Sequence, residues 1–375
     1  MADNTNIWTI KKILDWTSQY FEKNHIDEPL LDAQVLLGHV LDMNKVQLII
    51  NGMKPLDESE LAAFKQLAIK RVKERQPIAY ILGHKDFWSL DLSVSHDVLI
   101  PRPDTECLVE QALAFIKSRL GNKPLPWKDI DENSLKYDQL DNRQAYYEEV
   151  TASESLAQKT DNWIKSQASQ FDDLTSTEAR EAFEKDVLNV QNELQSDVEI
   201  VESVGEKLKI VDVGTGSGAI ILALATELQD KCQYTAVDIS RPALEIASKN
   251  AQTLGLHIDF VESDLCSNLH EPVDVIVSNP PYITDDEMNE LSPEVRREPD
   301  LALRAGKDGL DVYRRLIPQA YDRLRSGGAL FVEIGSKQFD NVKKIFNDAG
   351  FRQIRLFKDY GHRPRIVFGL KDDSV

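Results

Sequence analysis

Residues 208–228 read LKIVDVGTGSGAIILALATEL. An apolar run ends in Gly214-Thr215-Gly216-Ser217-Gly218, and a helix pattern begins at once. Three glycines in five positions allow a tight turn and a close approach of the backbone to a ligand at the strand's C-terminal end. Alone the signal is weak, because the dinucleotide fingerprint is spaced GxGxxG and this loop is GxGxG. The rhythm that continues beyond it decides the fold. Strands are expected at 208–213, 233–237, 258–261, 273–278, 329–334, 353–357 and 365–369, with helices at 217–229, 240–254, 308–325 and 337–349. Seven strands alternating with helices predict an α/β fold with a doubly wound sheet. The last two strands lack a helix between them, which predicts an antiparallel pair.

Working toward the N-terminus, the period changes. FWSLDLSVSHDVLI (87–100) alternates about Ser95-His96-Asp97, which predicts a hairpin. Pro101-Arg102-Pro103-Asp104 follows, and Asp104 is expected to cap a helix running to about Arg119. Residues 6–75 carry apolar positions at helical spacing: Ile7, Ile10, Ile13, Leu14 and Phe21, then Leu30 to Val40, then Leu61 to Val72. Short helices with apolar stripes bury them on one another, so a small bundle is expected, with Trp8 and Trp16 as core or docking residues.

Charge isolates one segment. The 375 residues hold 44 Lys plus Arg against 63 Asp plus Glu, a net of -19. Residues 121–206 contribute 20 acidic and 8 basic side chains, which leaves only -7 for the other 289. This segment reads as an acidic, partly helical surface insertion, with a capping box at Thr175 and Glu178 before Phe183, Val187, Val190 and Leu194. Long surface insertions are tolerated because loop-closure cost grows slowly with length. Replacing 124–203 by a brief linker is therefore expected to preserve folding and cofactor binding; a shortened chain that binds no cofactor would place the segment in the core.

Other bulk features exclude function classes. An acidic surface suits neither phosphate backbones nor anionic membranes. Cys107, Cys232 and Cys266 are scattered, with no ligand spacing, so neither a disulfide framework nor a metal site is expected. No apolar run approaches the roughly 20 residues of a membrane span, and no signal pattern opens the chain. A cytoplasmic protein is expected.

The chemistry sits at successive strand ends. Asp238 ends the second strand, 24 residues after Gly214, where a carboxylate can accept from both ribose hydroxyls. Ser240 is the better helix cap there. Asp264 after the third strand is placed to accept from an adenine amino group, with Leu265 covering the ring. No Walker lysine is present, so the pattern points to an adenosine ligand without phosphate demand, S-adenosyl-L-methionine rather than ATP. After the fourth strand stand Asn279-Pro280-Pro281-Tyr282. An amino or amide nitrogen has a delocalised lone pair and is a poor nucleophile. The Asn279 and Pro280 carbonyls can accept its two hydrogens and aim it at a sulfonium methyl, while Pro281 stiffens the turn and Tyr282 packs on the substrate's flat face. Such catalysis works by positioning and electrostatics.

QPIAYILGHKDFWSLDLSVSHDVLIPRPDTE (76–106), DVGTGSGAI (212–220), SNPPYI (278–283), EPDLALRAGKDGLDVYRRL (298–316) and DYGHRPRIVFG (359–369) together resemble the PrmC/HemK-type release factor glutamine methyltransferases, over about 1–120 and 207–375. The resemblance implies a class I S-adenosylmethionine-dependent methyltransferase that modifies the side-chain amide of the glutamine in the GGQ motif of peptide chain release factors. It implies that Gly214, Thr215, Gly216, Ser217, Gly218 and Asp238 bind the cofactor, with Asp264 and Leu265 beside its adenine. Asn279 through Tyr282 then hold the glutamine amide, and Asn279 also borders the cofactor. Family members often carry an aromatic at the position of Leu265. The insertion has no counterpart in the family pattern.

The expected organisation is a helical bundle at 1–80, which the resemblance implies helps to dock the release factor, a hairpin linker and first catalytic helix at 81–120, the acidic insertion at 121–206, and the methyltransferase domain at 207–375. No direct nucleic-acid or membrane partner is expected, and a monomer is the default. A glutamine methyltransferase acting on a ribosomal protein shares the chemistry and stays open. So do an adenine-amino DNA methyltransferase, which needs a basic groove, and a non-catalytic protein that only binds the cofactor.

Overall fold

The computed structural model describes residues 7–123 and 207–372. The readings of a partly helical 124–206 and of the Thr175–Glu178 box lie outside them.

The N-terminal part is helical, as its periodicity requires: α1 (Ile10–Lys23), α2 (Pro29–Leu41), α3 (Lys45–Ile50), α4 (Glu58–Lys73) and α5 (Ile78–Leu82). Phe21, Leu36, Leu37 and Phe64 are fully buried at its centre. Asp57 and Glu60 form a capping box at the start of α4. Trp8 and Trp16 depart from the core expectation. They stay 37% and 52% exposed, edge to face at 6.3 Å, and Trp16 stacks on Tyr20 at 5.3 Å. The stripe of α1 that faces the bundle is Ile10, Ile13, Leu14, Thr17 and Phe21, which leaves Trp16 on the outer side.

The hairpin is shifted from its expected place. β1 (His84–Phe87) pairs antiparallel with β2 (Leu90–Ser93) about Trp88 and Ser89, both at positive φ (+52° and +60°). Two left-handed residues are what a two-residue hairpin demands. Ser95-His96-Asp97 does turn, with Val98 N donating to Ser95 O at 3.2 Å, but no strand returns from it. Asp104 is also reassigned. It caps nothing and instead accepts from Arg365 Nη2 at 3.1 Å, while a short 3-10 turn (Pro103–Thr105) leads into α6 (Glu106–Leu120).

The remaining strands, β3 (Leu208–Val213), β4 (Cys232–Asp238), β5 (Asp259–Glu262), β6 (Val273–Ser278), β7 (Leu324–Glu333), β8 (Arg352–Lys358) and β9 (Pro364–Leu370), form one sheet in the order β5-β4-β3-β6-β7-β9-β8. β3 to β7 run parallel; β9 is antiparallel to both β7 and β8. α7 (Ala219–Leu228), α8 (Arg241–Leu254), α9 (Asp311–Arg323) and α10 (Phe339–Ala349) supply the crossovers. Alternation along β7 divides the sheet's two faces. Leu330 and Val332 join the core under α9 and α10, whereas Phe331 meets Phe115 of α6 with ring centroids 5.8 Å apart. The order reverses between β3 and β6, and ligands of open α/β sheets bind outside the carboxyl ends of strands at such a switch point.

The bundle is tied to this domain by a buried guanidinium. Arg71 donates from Nε to Asp32 Oδ2 and from Nη1 to Glu294 Oε1, each at 2.7 Å, and Glu294 also accepts from Arg75 at 3.2 Å. Glu294 lies in the loop that follows Asn279-Pro280-Pro281-Tyr282. Among the described residues no helix is long and apolar enough to cross a membrane. Cys107, Cys232 and Cys266 are buried free thiols.

Candidate active site

β3 delivers the glycine loop to the switch point. Gly214, Gly216 and Gly218 take φ of +75°, +56° and +85°. A Cβ at Gly214 or Gly216 would meet nothing within 4 Å, so open space lies over the loop. Gly218 is needed for a different reason. A Cβ there would stand 2.9 Å from Leu222 Cδ1 and 3.2 Å from Ala247 Cβ, between α7 and α8. The loop is anchored by Gly214 N and Thr215 N donating to Val237 O at 2.8 and 2.9 Å, and by Thr215 Oγ1 donating to Asp212 Oδ2 at 2.7 Å. Ser217 O accepts from Asn250 Nδ2 at 2.9 Å, and Asn250 in turn clasps Ser93 N and Ser93 O. The hairpin is thereby fastened to the glycine loop.

Asp238 stands beside this loop. Its Oδ2 accepts from Gly216 N and its Oδ1 from Ser240 N, both at 2.9 Å, while Ser240 caps α8 as its sequence position foretold. Burial pushes the Asp238 carboxyl up, and the backbone N–H groups of Ser240 and Gly216 oppose that shift. Each oxygen keeps a lone pair for a ribose hydroxyl. Asp264 is exposed and paired with Arg315, and Leu265, at φ +53°, leans its side chain on the sheet core. The open space over Gly214 and Gly216, with the spare lone pairs of Asp238 alongside, fits an adenosine-bearing sulfonium cofactor.

β6 carries the second half of the site. Ser278 Oγ donates to Val213 O at 2.6 Å, locking the end of β6 against β3. Asn279 follows, half-buried, and its Nδ2 donates to Thr105 Oγ1 at 3.2 Å. Thr105 Oγ1 donates to Glu333 Oε2 at 2.7 Å, and Tyr282 OH reaches Glu333 Oε1 at 3.4 Å. Burial pushes the Glu333 carboxyl up to about 7, opposed by Thr105 and Arg365. Burial likewise pushes the Tyr282 phenol up to about 12, so it stays a neutral donor. Gln338 Nε2 donates to Tyr282 O at 3.0 Å and to Gly309 O at 3.1 Å, which holds the turn from behind. A cavity of about 80 Å³ opens here, walled by Leu99, Arg102, Asn279, Pro280, Tyr282 and Leu303. Arg102 on its rim pairs with buried Glu298, whose other oxygen accepts from Ile100 N at 3.0 Å.

Thus the residues singled out from sequence fall into two neighbouring groups: Gly214 to Gly218 with Asp238 at the ends of β3 and β4, and Asn279 to Tyr282 at the end of β6. Asp264 and Leu265 follow β5 at the sheet's edge. Sequence reasoning missed Thr105, Glu333, Gln338 and Asn250. Glu333 carried a readable signal, because it ends an apolar strand as Asp238 does.

This strand order, with a glycine loop after its first strand, an acidic residue ending the second and Asn-Pro-Pro-Tyr after the fourth, defines a class I S-adenosylmethionine-dependent methyltransferase. Two family models match, the PrmC N-terminal domain at residues 12–83 and the methyltransferase small domain at 195–294. The release factor glutamine methyltransferase of Rhodopirellula baltica is 31% identical over 98% of either chain. That of Geobacter sulfurreducens is 31% identical over 98% of this chain and 99% of its own, and that of Bradyrhizobium diazoefficiens 32% over 92% and 89%. The chain belongs to the release factor glutamine methyltransferase family.

Proposed function

We propose that this protein transfers a methyl group from S-adenosyl-L-methionine to the side-chain amide nitrogen of the glutamine in the GGQ motif of peptide chain release factors. The observation that carries the reading is relatedness at 31% identity over 98% of the chain to the release factor glutamine methyltransferase of Rhodopirellula baltica. The cofactor supplies an electrophilic methyl on a positively charged sulfur. In this reading Gly214, Thr215, Gly216, Ser217 and Gly218 approach it through their backbone, Asp238 accepts its ribose hydroxyls, and Asp264 and Leu265 flank its adenine. Asn279 Oδ1 and the Pro280 carbonyl accept the two amide hydrogens of the glutamine. That orients the nitrogen and raises its electron density as the bond to carbon forms. Pro281 and Tyr282 shape the slot that receives the planar amide. The sulfonium charge disappears during transfer, so no general base need act first, and the surplus proton leaves to water afterward.

The substrate assignment is tested by incubating the protein with labelled S-adenosyl-L-methionine and, separately, a purified release factor, a ribosomal protein fraction and duplex DNA. Label on the release factor alone is expected. Label on DNA or on a ribosomal protein with none on the release factor overturns the assignment, and binding without transfer to any of them leaves a cofactor-binding scaffold.

A further inference from the structure

Thr105, Asn279 and Glu333 come from three distant stretches: the 3-10 turn before α6, the turn after β6, and the end of β7. Thr105 is buried, and its hydroxyl caps no helix. That hydroxyl has one hydrogen, given to Glu333 Oε2 at 2.7 Å. Toward Asn279 it can then only accept, and it accepts from Nδ2 at 3.2 Å. The orientation matters because a carboxamide turned by half a rotation fills the same space but exchanges its carbonyl for an N–H. In that orientation Asn279 would present a donor where a substrate amide also presents donors.

We propose that Thr105 and Glu333 are positioning residues for methyl transfer: the Glu333 carboxylate sets the direction of the Thr105 O–H, and Thr105 thereby holds Asn279 with Oδ1 toward the substrate amide. The inference rests on the reading of Asn279 as the amide clamp. It also gives a role to Thr105 in the PDTE stretch, to which sequence alone assigned none.

The surroundings of Glu333 make the device sensitive to pH. Its carboxylate is 1% exposed. Tyr282 OH donates to Oε1 at 3.4 Å, and Arg365 Nη1 lies 3.9 Å from the same oxygen. Arg365 is shared with Asp104 and Asp359, at 3.1 and 3.0 Å from Nη2. Tyr313 OH is occupied by the main-chain oxygen of Glu333 at 2.8 Å. Burial pushes Glu333 up to about 7, so it takes a proton as the pH falls through neutrality. Once protonated it can donate to Thr105, whose own hydrogen is then free to turn on Asn279 and favour the flipped amide. Transfer is therefore expected to rise with pH through the neutral range and level off above it.

The test compares kcat with saturating S-adenosyl-L-methionine and release factor, the cofactor's Kd and the thermal midpoint for four variants. Thr105→Val keeps shape and loses the relay; kcat is expected to fall roughly tenfold, the effect of one hydrogen bond's net worth on a barrier, with cofactor Kd unchanged within error. Thr105→Ser keeps the hydroxyl and is expected to restore transfer. Glu333→Gln keeps an acceptor that cannot ionise, so its kcat is expected to be flat across the neutral range where wild type rises. Asn279→Ala separates this inference from the reading beneath it. If Asn279→Ala is inactive and Thr105→Val is as fast as wild type, the relay is wrong and the clamp stands. If Asn279→Ala transfers normally, the clamp itself fails. A Thr105→Val loss that serine does not rescue, or that comes with an equal loss of cofactor affinity, marks a structural role and overturns the proposal. A pH rise that persists in Glu333→Gln overturns the part assigned to the carboxylate.

Discussion

Asn279→Ala is expected to bind S-adenosyl-L-methionine like the wild type and to transfer methyl groups about 10²–10³ times more slowly, the usual cost of deleting one preorganised polar group at a reacting centre. Cofactor affinity should persist because the glycine loop and Asp238 are anchored through β4 and α8, by Val237 O, Gly216 N and Ser240 N, with no contribution from Asn279. Folding should persist because Asn279 is half-buried and, among the described residues, its side chain hydrogen-bonds Thr105, which keeps Glu333 as a partner. Isothermal titration with the cofactor and single-turnover transfer to a release factor separate the two quantities. A variant whose transfer stays within a few-fold of wild type would remove Asn279 from the chemistry, and one that no longer binds cofactor would make it a structural residue.

The largest effect on stability is expected at Arg365. This buried residue donates from Nε and Nη2 to Asp359 Oδ2 at 3.1 and 3.0 Å and from Nη2 to Asp104 Oδ2 at 3.1 Å. Arg365→Met leaves Asp359 buried without its cation, and breaking a buried pair from one side costs about 3–5 kcal/mol. Burial pushes the Asp359 carboxyl up, but the Arg363 N–H and the Arg365 guanidinium outweigh it and hold the group below the ordinary range. A depressed folded value stabilises above the unfolded one and loses that contribution as pH falls through the folded value. The gap between wild type and Arg365→Met should therefore be full at neutral pH and narrow below about pH 4, the unfolded aspartate value. Thermal unfolding across that range measures it. A loss under about 1 kcal/mol at neutral pH, the size of an exposed pair, would contradict the buried network.

The sheet was legible because its strands are apolar runs bounded by turn residues, and all seven lie close to their expected positions. β7 is the exception at its start, beginning at Leu324 rather than 329. Arg325-Ser326-Gly327-Gly328 breaks the apolar pattern, yet Leu324 pairs with Val273 across an irregularity in register. The hairpin was misplaced because Trp88 and Ser89 adopt positive φ without the glycine or asparagine that advertises it, while Ser95-His96-Asp97 looks like a hairpin turn. Asp104 looked like a cap because that rule is local; its partner Arg365 stands 261 residues on. The glycine turn at Gly214, Gly216 and Gly218 is likewise a local pattern, and its three positive φ angles were readable. The Thr105–Glu333 bond joins residues 228 apart and leaves no periodicity in the sequence, so only the folded chain brings it to Asn279.

The central claim is that the reacting atom is a glutamine amide nitrogen held in the Asn-Pro-Pro-Tyr slot. The most direct measurement is tandem mass spectrometry of the GGQ-containing peptide from a release factor treated with the protein and S-adenosyl-L-methionine. One added methyl group on the side-chain nitrogen of that glutamine, formed about 10²–10³ times more slowly when Asn279→Ala replaces wild type, is the result expected. A methyl group on any other residue, or an unmodified glutamine after full turnover of the cofactor, would contradict it.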